Sequence, residues 1–543
     1  MTNVRFLPML VFLLLTMLLA DSIVTVTEAA QDSWKTVVQN AGVEAMHMAT
    51  FHTDKVVIFD RTNVGATGMK MQNGRCRDNS KDLVLKHDCW AHSVEYDSTN
   101  NRIRTLFIFT DPFCSSGAFL PDGTLQQTGG DKEGAWNIRQ LGAGPNDDWR
   151  ETNNFLFKRR WYATNQILPD GRIIIIGGTM QPSYEFVPHQ GKAAIPLAIL
   201  SKAFAPKPEG ENNIYPFVHL LPDGNLFIFA NVYSTVFNYK TNRVVKNLPD
   251  LGRDPRVYPY SGTSTLLPLS PADGYRAIVF ICGGGPLGAY GKAKGRNYLT
   301  ALDTCGRIEP LAANAKWSVE KMPGPRVMVD GVILPTGEFL YVNGMQAGVL
   351  GWNQNRNPAL APYLYNPTTK RFTVQTATNI VRAYHSAANL QSDGTVLIAG
   401  GNDQSQYVFS GVRWPTELRI QKYSPYYLNA AYNNVRFTIV GLPGTAKLNS
   451  NFGVTFQSGP TPTKVQISLY APPFVTHGNS MNQRMVILKQ VGGITKAGAA
   501  YVVTVTAPPN GNIAPPGYYM CTALNTGTNP AIPSKARWIK ITN

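Results

Sequence analysis

One short phrase recurs along the chain at a nearly constant interval, and that repetition restricts the fold more than any other feature. Phe119–Gly130 reads FLPDGTLQQTGG, Ile167–Gly178 ILPDGRIIIIGG and Leu220–Ala230 LLPDGNLFIFA; Ile333–Gly344 reads ILPTGEFLYVNG and Leu390–Gly401 LQSDGTVLIAGG. Each is an apolar strand, a Pro/Asp/Gly turn and a second apolar strand ending in small residues, the pattern of a β-hairpin. Two looser copies lie at Phe51–Asp60 (FHTDKVVIFD) and around Asp273–Gly274, ahead of AIVFICGGG. The turn positions Lys55, Gly123, Gly171, Gly224, Gly274, Gly337 and Gly394 are 68, 48, 53, 50, 63 and 57 residues apart. A period of about fifty with a Gly-Gly strand end is that of a kelch-type blade. Seven copies predict an all-β, seven-bladed propeller, closed so that no long sheet edge is bare. Unrelated hairpins in a β-sandwich would not share one register.

The pattern stops after Gly401. From Glu417 the chain reads as short strands broken by Pro and Gly, such as Lys464–Tyr470 (KVQISLY) and Tyr501–Thr506 (YVVTVT). The expected organisation is a propeller over 31–416 and an immunoglobulin-like β-sandwich over 417–543, with Tyr423–Tyr427 as the hinge. The 48 Gly, 38 Pro and only 15% charged residues agree with an all-β chain of many tight turns. Leu7–Ala20 is an apolar run behind Arg5, ending near Ala29 and Ala30. It is too short to span a bilayer and fits a signal peptide over residues 1–30, with a signal anchor as the alternative. The expected location is therefore extracellular or in a cell wall, with no membrane contact once the signal is removed. That removal takes Arg5, Asp21 and Glu28, leaving 49 basic and 32 acidic side chains and a charge of +17. Such an excess suits weak contact with an acidic wall polysaccharide. Nucleic acid is excluded as a partner, because the cations are scattered rather than clustered.

The register carries a further inference. Five residues before each well-formed hairpin stand Cys114, Tyr162, Tyr215, Met328 and His385. Equivalent positions of a propeller lie at equal depth around its channel. Cys114 and Tyr162, from neighbouring blades, should therefore be neighbours in space, with His385 facing the same channel and Tyr384 beside it. A thiol, phenols and an imidazole at one channel end suit a redox metal better than packing. Tyr and His donors with open positions suit copper(II). Copper cycles by one electron, whereas oxidising an alcohol or a hydrated aldehyde takes two; a tyrosine beside it can store the second. A thioether from Cys114 to the Tyr162 ring would ease formation of that radical.

In these residues the chain resembles the copper-radical oxidases, on their glyoxal oxidase branch. The family's cysteine motif is matched by Phe113-Cys114-Ser115-Ser116-Gly117 and its cross-linked tyrosine by Arg159-Arg160-Trp161-Tyr162. Its Tyr-His pair is matched by Tyr384-His385, and its second histidine by Thr476-His477-Gly478 after Pro472-Pro473. The resemblance implies one copper per chain, held by Tyr162, Tyr384, His385 and His477. It implies a Cys114–Tyr162 thioether radical cofactor, with Tyr384 as general base. The implied reaction converts small aldehydes of the glyoxal or methylglyoxal kind to carboxylic acids, reducing O2 to hydrogen peroxide. A primary-alcohol or galactose-type oxidase on the same site is the near alternative, and a non-enzymatic polysaccharide-binding kelch propeller the distant one. Galactose oxidase, a relative, carries a sugar-binding domain before its propeller, whereas here the first blade is expected to start soon after the signal peptide, which favours the glyoxal oxidase branch. The tryptophan that shields the radical in that relative is replaced by Met180, with Tyr184 or Phe186 as substitutes.

If Cys114 is consumed by a thioether, the remaining cysteines pair as Cys76–Cys89 and Cys282–Cys305 and leave Cys521 as a buried thiol in an apolar strand. Cys76, His87, Cys89 and His92 loosely resemble a zinc cluster, but in a secreted chain a disulfide is the simpler reading. Asp and Glu offer no paired-carboxylate motif, and no G-x-S-x-G or phosphate loop appears.

Overall fold

Each hairpin phrase folds as the first two strands of a four-stranded antiparallel sheet. The computed structural model describes residues 31–204 and 211–543, so the expected signal peptide lies outside the described residues. Seven such sheets succeed one another along the chain. Their first strands are His47–Thr50, Ser116–Phe119, Ala163–Ile167, Phe217–Leu220, Thr263–Leu266, Asp330–Ile333 and Ser386–Leu390. These strands pack side by side around a central channel, giving a seven-bladed propeller. Second strands such as Ile173–Gly177 and Val396–Gly400 are buried at every residue. Neighbouring blades cover both of their faces, which is why they read as unbroken apolar runs. Each fully buried aliphatic side chain there contributes roughly 1.5–3 kcal/mol.

Both ends of the propeller meet in the seventh blade. Ser33–Val38 pairs antiparallel with Ile420–Ser424, placing Trp34 opposite Tyr423. Ile420–Ser424 in turn pairs with Val396–Gly400. The division expected at 416/417 is thus displaced: the strand after it completes the last blade, and Tyr423 is a blade residue, not a hinge.

The second domain is a sandwich of two sheets. One contains Thr438–Gly441, Asn451–Gln457, Ala500–Thr506 and Lys489–Ala497; the other is built around Val465–Ala471, Gly517–Asn525 and Arg537–Thr542. Asn451–Gln457 alternates, with Phe452, Val454 and Phe456 turned inward, as a strand covered on one face does. That core is continuous with Phe227, Val279 and Ile281 of the fourth and fifth blades. One hairpin leaves the sandwich, Phe474–Thr476 and Asn479–Met481, and pairs with the first strand of blade one, His47 opposite Thr476. It also packs against first strands of other blades, filling the channel. Its turn is His477–Gly478. The two cystines are Cys76–Cys89 and Cys282–Cys305, while Cys114 and Cys521 are buried free thiols.

Candidate active site

The site is built at the blade entrances, the residues that lead into each first strand. Cys114, Tyr162, Tyr215, Met328 and His385 have φ of 51°, 62°, 48°, 60° and 65°. All five residues of the shared register are therefore left-handed, and each turns the chain sharply into its blade. Blades are stitched together here: the Tyr162 N–H donates to the Cys114 carbonyl at 2.9 Å and the Tyr215 N–H to the Tyr162 carbonyl at 2.8 Å. Buried arginines brace the entrances against the ends of the second strands. Arg160 Nη1 donates to Gly177 O at 2.7 Å, Arg326 Nη1 to Asn343 O at 2.9 Å and Arg382 Nη1 to Gly400 O at 2.9 Å. The paired glycines that follow second strands are required by close approach. A Cβ on Gly129 would lie 1.8 Å from the Arg160 carbonyl oxygen, and one on Gly130 2.0 Å from that of Asp111.

The channel hairpin brings His477 to the same point, also with a left-handed φ of 53°. Its Nε2 lies 3.2 Å from Tyr384 Oη and 3.5 Å from Cys114 Sγ, and Thr476 Oγ1 holds its Nδ1 at 2.6 Å. His385 Nδ1 is held 2.9 Å from Glu44 Oε1, leaving its buried Nε2 without a partner. Donor atoms of Cys114, His385 and His477 all lie within 4.8 Å of one another. Tyr162 approaches through a residue that the sequence reading does not include: Tyr258 Oη lies 3.2 Å from Tyr162 Oη and 3.1 Å from Tyr384 Oη. Cys114, Tyr162, Tyr384, His385 and His477 thus come together as expected, and Tyr258 joins them.

Electrostatics keeps the set unionised in the absence of a cation. Burial pushes the His385 and His477 imidazoles far below their usual range, the former aided by the Arg61 charge and the latter by His385. Burial likewise pushes the phenols of Tyr162 and Tyr384 and the thiol of Cys114 well above theirs, Cys114 and Tyr162 each perturbing the other. A positive ion placed among them reverses the upward shifts of the phenols and the thiol and reinforces the downward shifts of the imidazoles, so it favours phenolate and neutral imidazole together. The orphaned His385 Nε2 and the inward His477 Nε2, with two phenol oxygens close by, make an N,O donor set that fits copper(II).

The cover over Tyr162 differs from the sequence expectation. Met180 is 65% exposed. Tyr184 and Phe186 pack on each other and on Phe237 and Tyr239, in a separate core. Trp161 lies against Tyr162 instead, ring centroids 5.0 Å apart, and Phe113 stacks on Trp352 beside His385. Paired carboxylates are present as well, although no motif announces them: Glu44 and Asp60, both buried, stand behind His385.

A closed propeller whose channel gathers thiol, phenol and imidazole side chains, completed by a histidine from an appended sandwich, defines a class of redox enzyme. Comparison with known proteins narrows it. Residues 46–427 match the glyoxal oxidase N-terminus family and 436–541 the galactose oxidase-like Early set domain. The chain is 42% identical to Aldehyde oxidase GLOX of Vitis pseudoreticulata over 96% of its own length and all of that protein. It is 39% identical to Aldehyde oxidase GLOX1 of Arabidopsis thaliana, covering 94% of this chain and 84% of that one. A solved fungal alcohol oxidase of the AA5 family, in complex with copper, superposes with a TM-score of 0.73 at 20% identity over 94% of this chain and all of that one. The chain belongs to the glyoxal oxidase family.

Proposed function

We propose that this chain is a secreted copper-radical aldehyde oxidase that converts small aldehydes to carboxylic acids and O2 to hydrogen peroxide. The observation that carries the reading is the unpartnered His385 Nε2, buried within 4.8 Å of the His477 and Cys114 donor atoms. Tyr162, Tyr384, His385 and His477 would hold the copper. Bound there, it would supply one electron acceptor and an open coordination position. The names of the relatives favour an aldehyde over an alcohol.

The side chains divide the rest of the work. A hydrated aldehyde gives up two electrons and two protons to become the acid, and O2 takes up both pairs as hydrogen peroxide. Tyr384, its oxygen 3.2 Å from His477 Nε2, accepts the substrate hydroxyl proton. Tyr162, joined to Cys114 by a thioether and oxidised by one electron, takes the C–H hydrogen. Tyr258, hydrogen-bonded to both phenols, keeps the two oxygens in register. Trp161, Phe113 and Trp352 limit access of water to the oxidised ring. Forming the thioether joins sulfur to the ring carbon and releases two hydrogens, which O2 accepts.

The test is a peroxide-release screen of aldehydes, primary alcohols and sugars with copper-loaded protein, alongside an intact mass. Aldehydes should give the highest rates, and the mass should lie about 2 Da below that expected from the disulfides alone. Copper content of His477→Ala should fall to near zero. Full retention there, or active enzyme whose Cys114 peptide is a free thiol, refutes the reading.

A further inference from the structure

The two imidazoles of the site are supported in different ways. The outer nitrogen of His477 meets a hydroxyl, Thr476 Oγ1, from its own hairpin. That of His385 meets a carboxyl from another blade. Glu44 precedes the first strand of blade one, and Asp60 follows the second strand of the same blade. His385 opens blade seven. Glu44 and Asp60 are 1% and 0% exposed, and a carboxylate oxygen of each lies within 4.8 Å of the other and of a His385 ring nitrogen. Tyr407, on the loop of blade seven, closes the bracket: its hydroxyl donates to Asp60 Oδ2 at 3.0 Å and accepts from the Glu44 N–H at 2.9 Å. This bracket spans the seam where the propeller ring closes.

We propose that Glu44, backed by Asp60, is the positioning residue of the metal site. Glu44 Oε1 accepts the Nδ1–H of His385, which fixes the tautomer, sets the plane of the ring and leaves the Nε2 lone pair facing the other donors. Among the described residues no other group takes that role, since Phe113, Trp352, Tyr384 and His477 meet the His385 ring through ring faces and edges. An imidazole freed from that acceptor could turn or place its proton on Nε2, and either change removes the lone pair from the metal. Outer-sphere partners of this kind are worth 10–100-fold in metal affinity. The inference rests on the copper reading of the site and adds a residue that the sequence motifs do not contain.

The test uses copper-free full-length protein titrated with Cu(II) against a competing chelator, with frozen-solution EPR of each complex. Glu44→Leu should weaken Cu(II) binding roughly 10–100-fold and alter the copper hyperfine coupling. Glu44→Gln, which keeps a carbonyl oxygen for the Nδ1–H, should restore affinity to within about threefold, a rescue that lost packing alone would not show. Neutron diffraction from the wild-type copper-free protein gives an arm independent of folding of any variant, and should place the His385 proton on Nδ1. A folded Glu44→Leu with wild-type affinity and spectrum, a Glu44→Gln as impaired as Glu44→Leu, or a proton on Nε2 overturns the proposal. Wild-type protein that binds no Cu(II) would instead sink the copper reading.

Discussion

The position of His477 depends on a single glycine, and Gly478→Ala measures how tightly the channel hairpin is seated. Gly478 has a φ of 77°, and a Cβ there would lie 2.7 Å from the Val329 carbonyl oxygen and 2.9 Å from that of Gly262. The left-handed backbone costs an alanine about 1–2 kcal/mol. Crowding two carbonyl oxygens adds roughly 1–3 kcal/mol, as overpacking usually does. Together these amount to about 2–5 kcal/mol, or a roughly 30-fold to several-thousand-fold fall in the seated hairpin relative to a displaced one. If the hairpin stays in place, the turn must move a few tenths of an ångström, which already exceeds the ±0.2 Å or so that metal–donor distances tolerate. Gly492→Ala isolates the backbone cost: its φ is 75° and nothing lies within 4 Å of the added carbon. Titrating copper-free protein with Cu(II), with thermal unfolding in parallel, should show affinity lost in Gly478→Ala and kept in Gly492→Ala. If the two variants match in both measurements, the hairpin is not held by the contacts described.

Tyr258→Phe should retain copper but lower the peroxide rate by up to about 30-fold, because two buried phenols lose a hydrogen-bond partner worth about 1 kcal/mol each; an unchanged rate removes Tyr258 from the site. Arg160→Met leaves Glu185, 2.7 Å from the missing guanidinium and buried, without its cation. Denaturant titration should then show a loss of about 3–5 kcal/mol. Burial pushes the Asp330 carboxyl up to about 8. The unfolded chain releases this proton near pH 4 and the folded protein keeps it to about pH 8, so this residue lowers stability as pH rises through that window. Asp330→Asn should flatten that part of the stability profile, and a profile identical to wild type refutes the assignment. Retention on pectate should fall as salt rises from low to physiological strength, given the chain's net charge of +16; salt-independent retention counts against an electrostatic contact.

Local chemistry made much of this molecule readable in advance. The hairpin phrase is a contiguous signal, so the blades and the shared register of Cys114, Tyr162 and His385 follow from it. What escaped depends on residues far apart in sequence. The outer part of blade seven joins Ser33–Val38 to Ile420–Ser424, and no local pattern links the two ends of a chain. Tyr258 precedes blade five, whose turn is a 3-10 segment at Pro271–Asp273 rather than the repeated tight turn, so the register fades there. The only hint was the YPY run at Tyr258–Tyr260, three residues before the equivalent of Cys114. Glu44 and Asp60 flank the least regular hairpin copy and meet only through folding. Tyr184 and Phe186 were expected over Tyr162, yet they lie on a strand whose neighbours form a separate core.

The left-handed residues separate architecture from chemistry. Non-glycine side chains in this conformation cost about 1–2 kcal/mol each and often mark function. Here the same conformation occurs at Tyr215 and Met328, which are not among the proposed ligands. The strain therefore belongs to the blade entrance: a chain crossing from an outer strand to the next inner strand must turn sharply, and five of the seven blades solve that turn in the same way. Because the turn carries one side chain from each blade to one depth of the channel, it presents several positions at a common point before any chemistry is specified. Cys, Tyr and His at three of them, with Tyr384 and the hairpin histidine, supply the donor set of the proposed copper site. The conformation of Cys114, Tyr162 and His385 should accordingly be the same in metal-free and metal-loaded protein, and loss of the metal should leave the propeller folded.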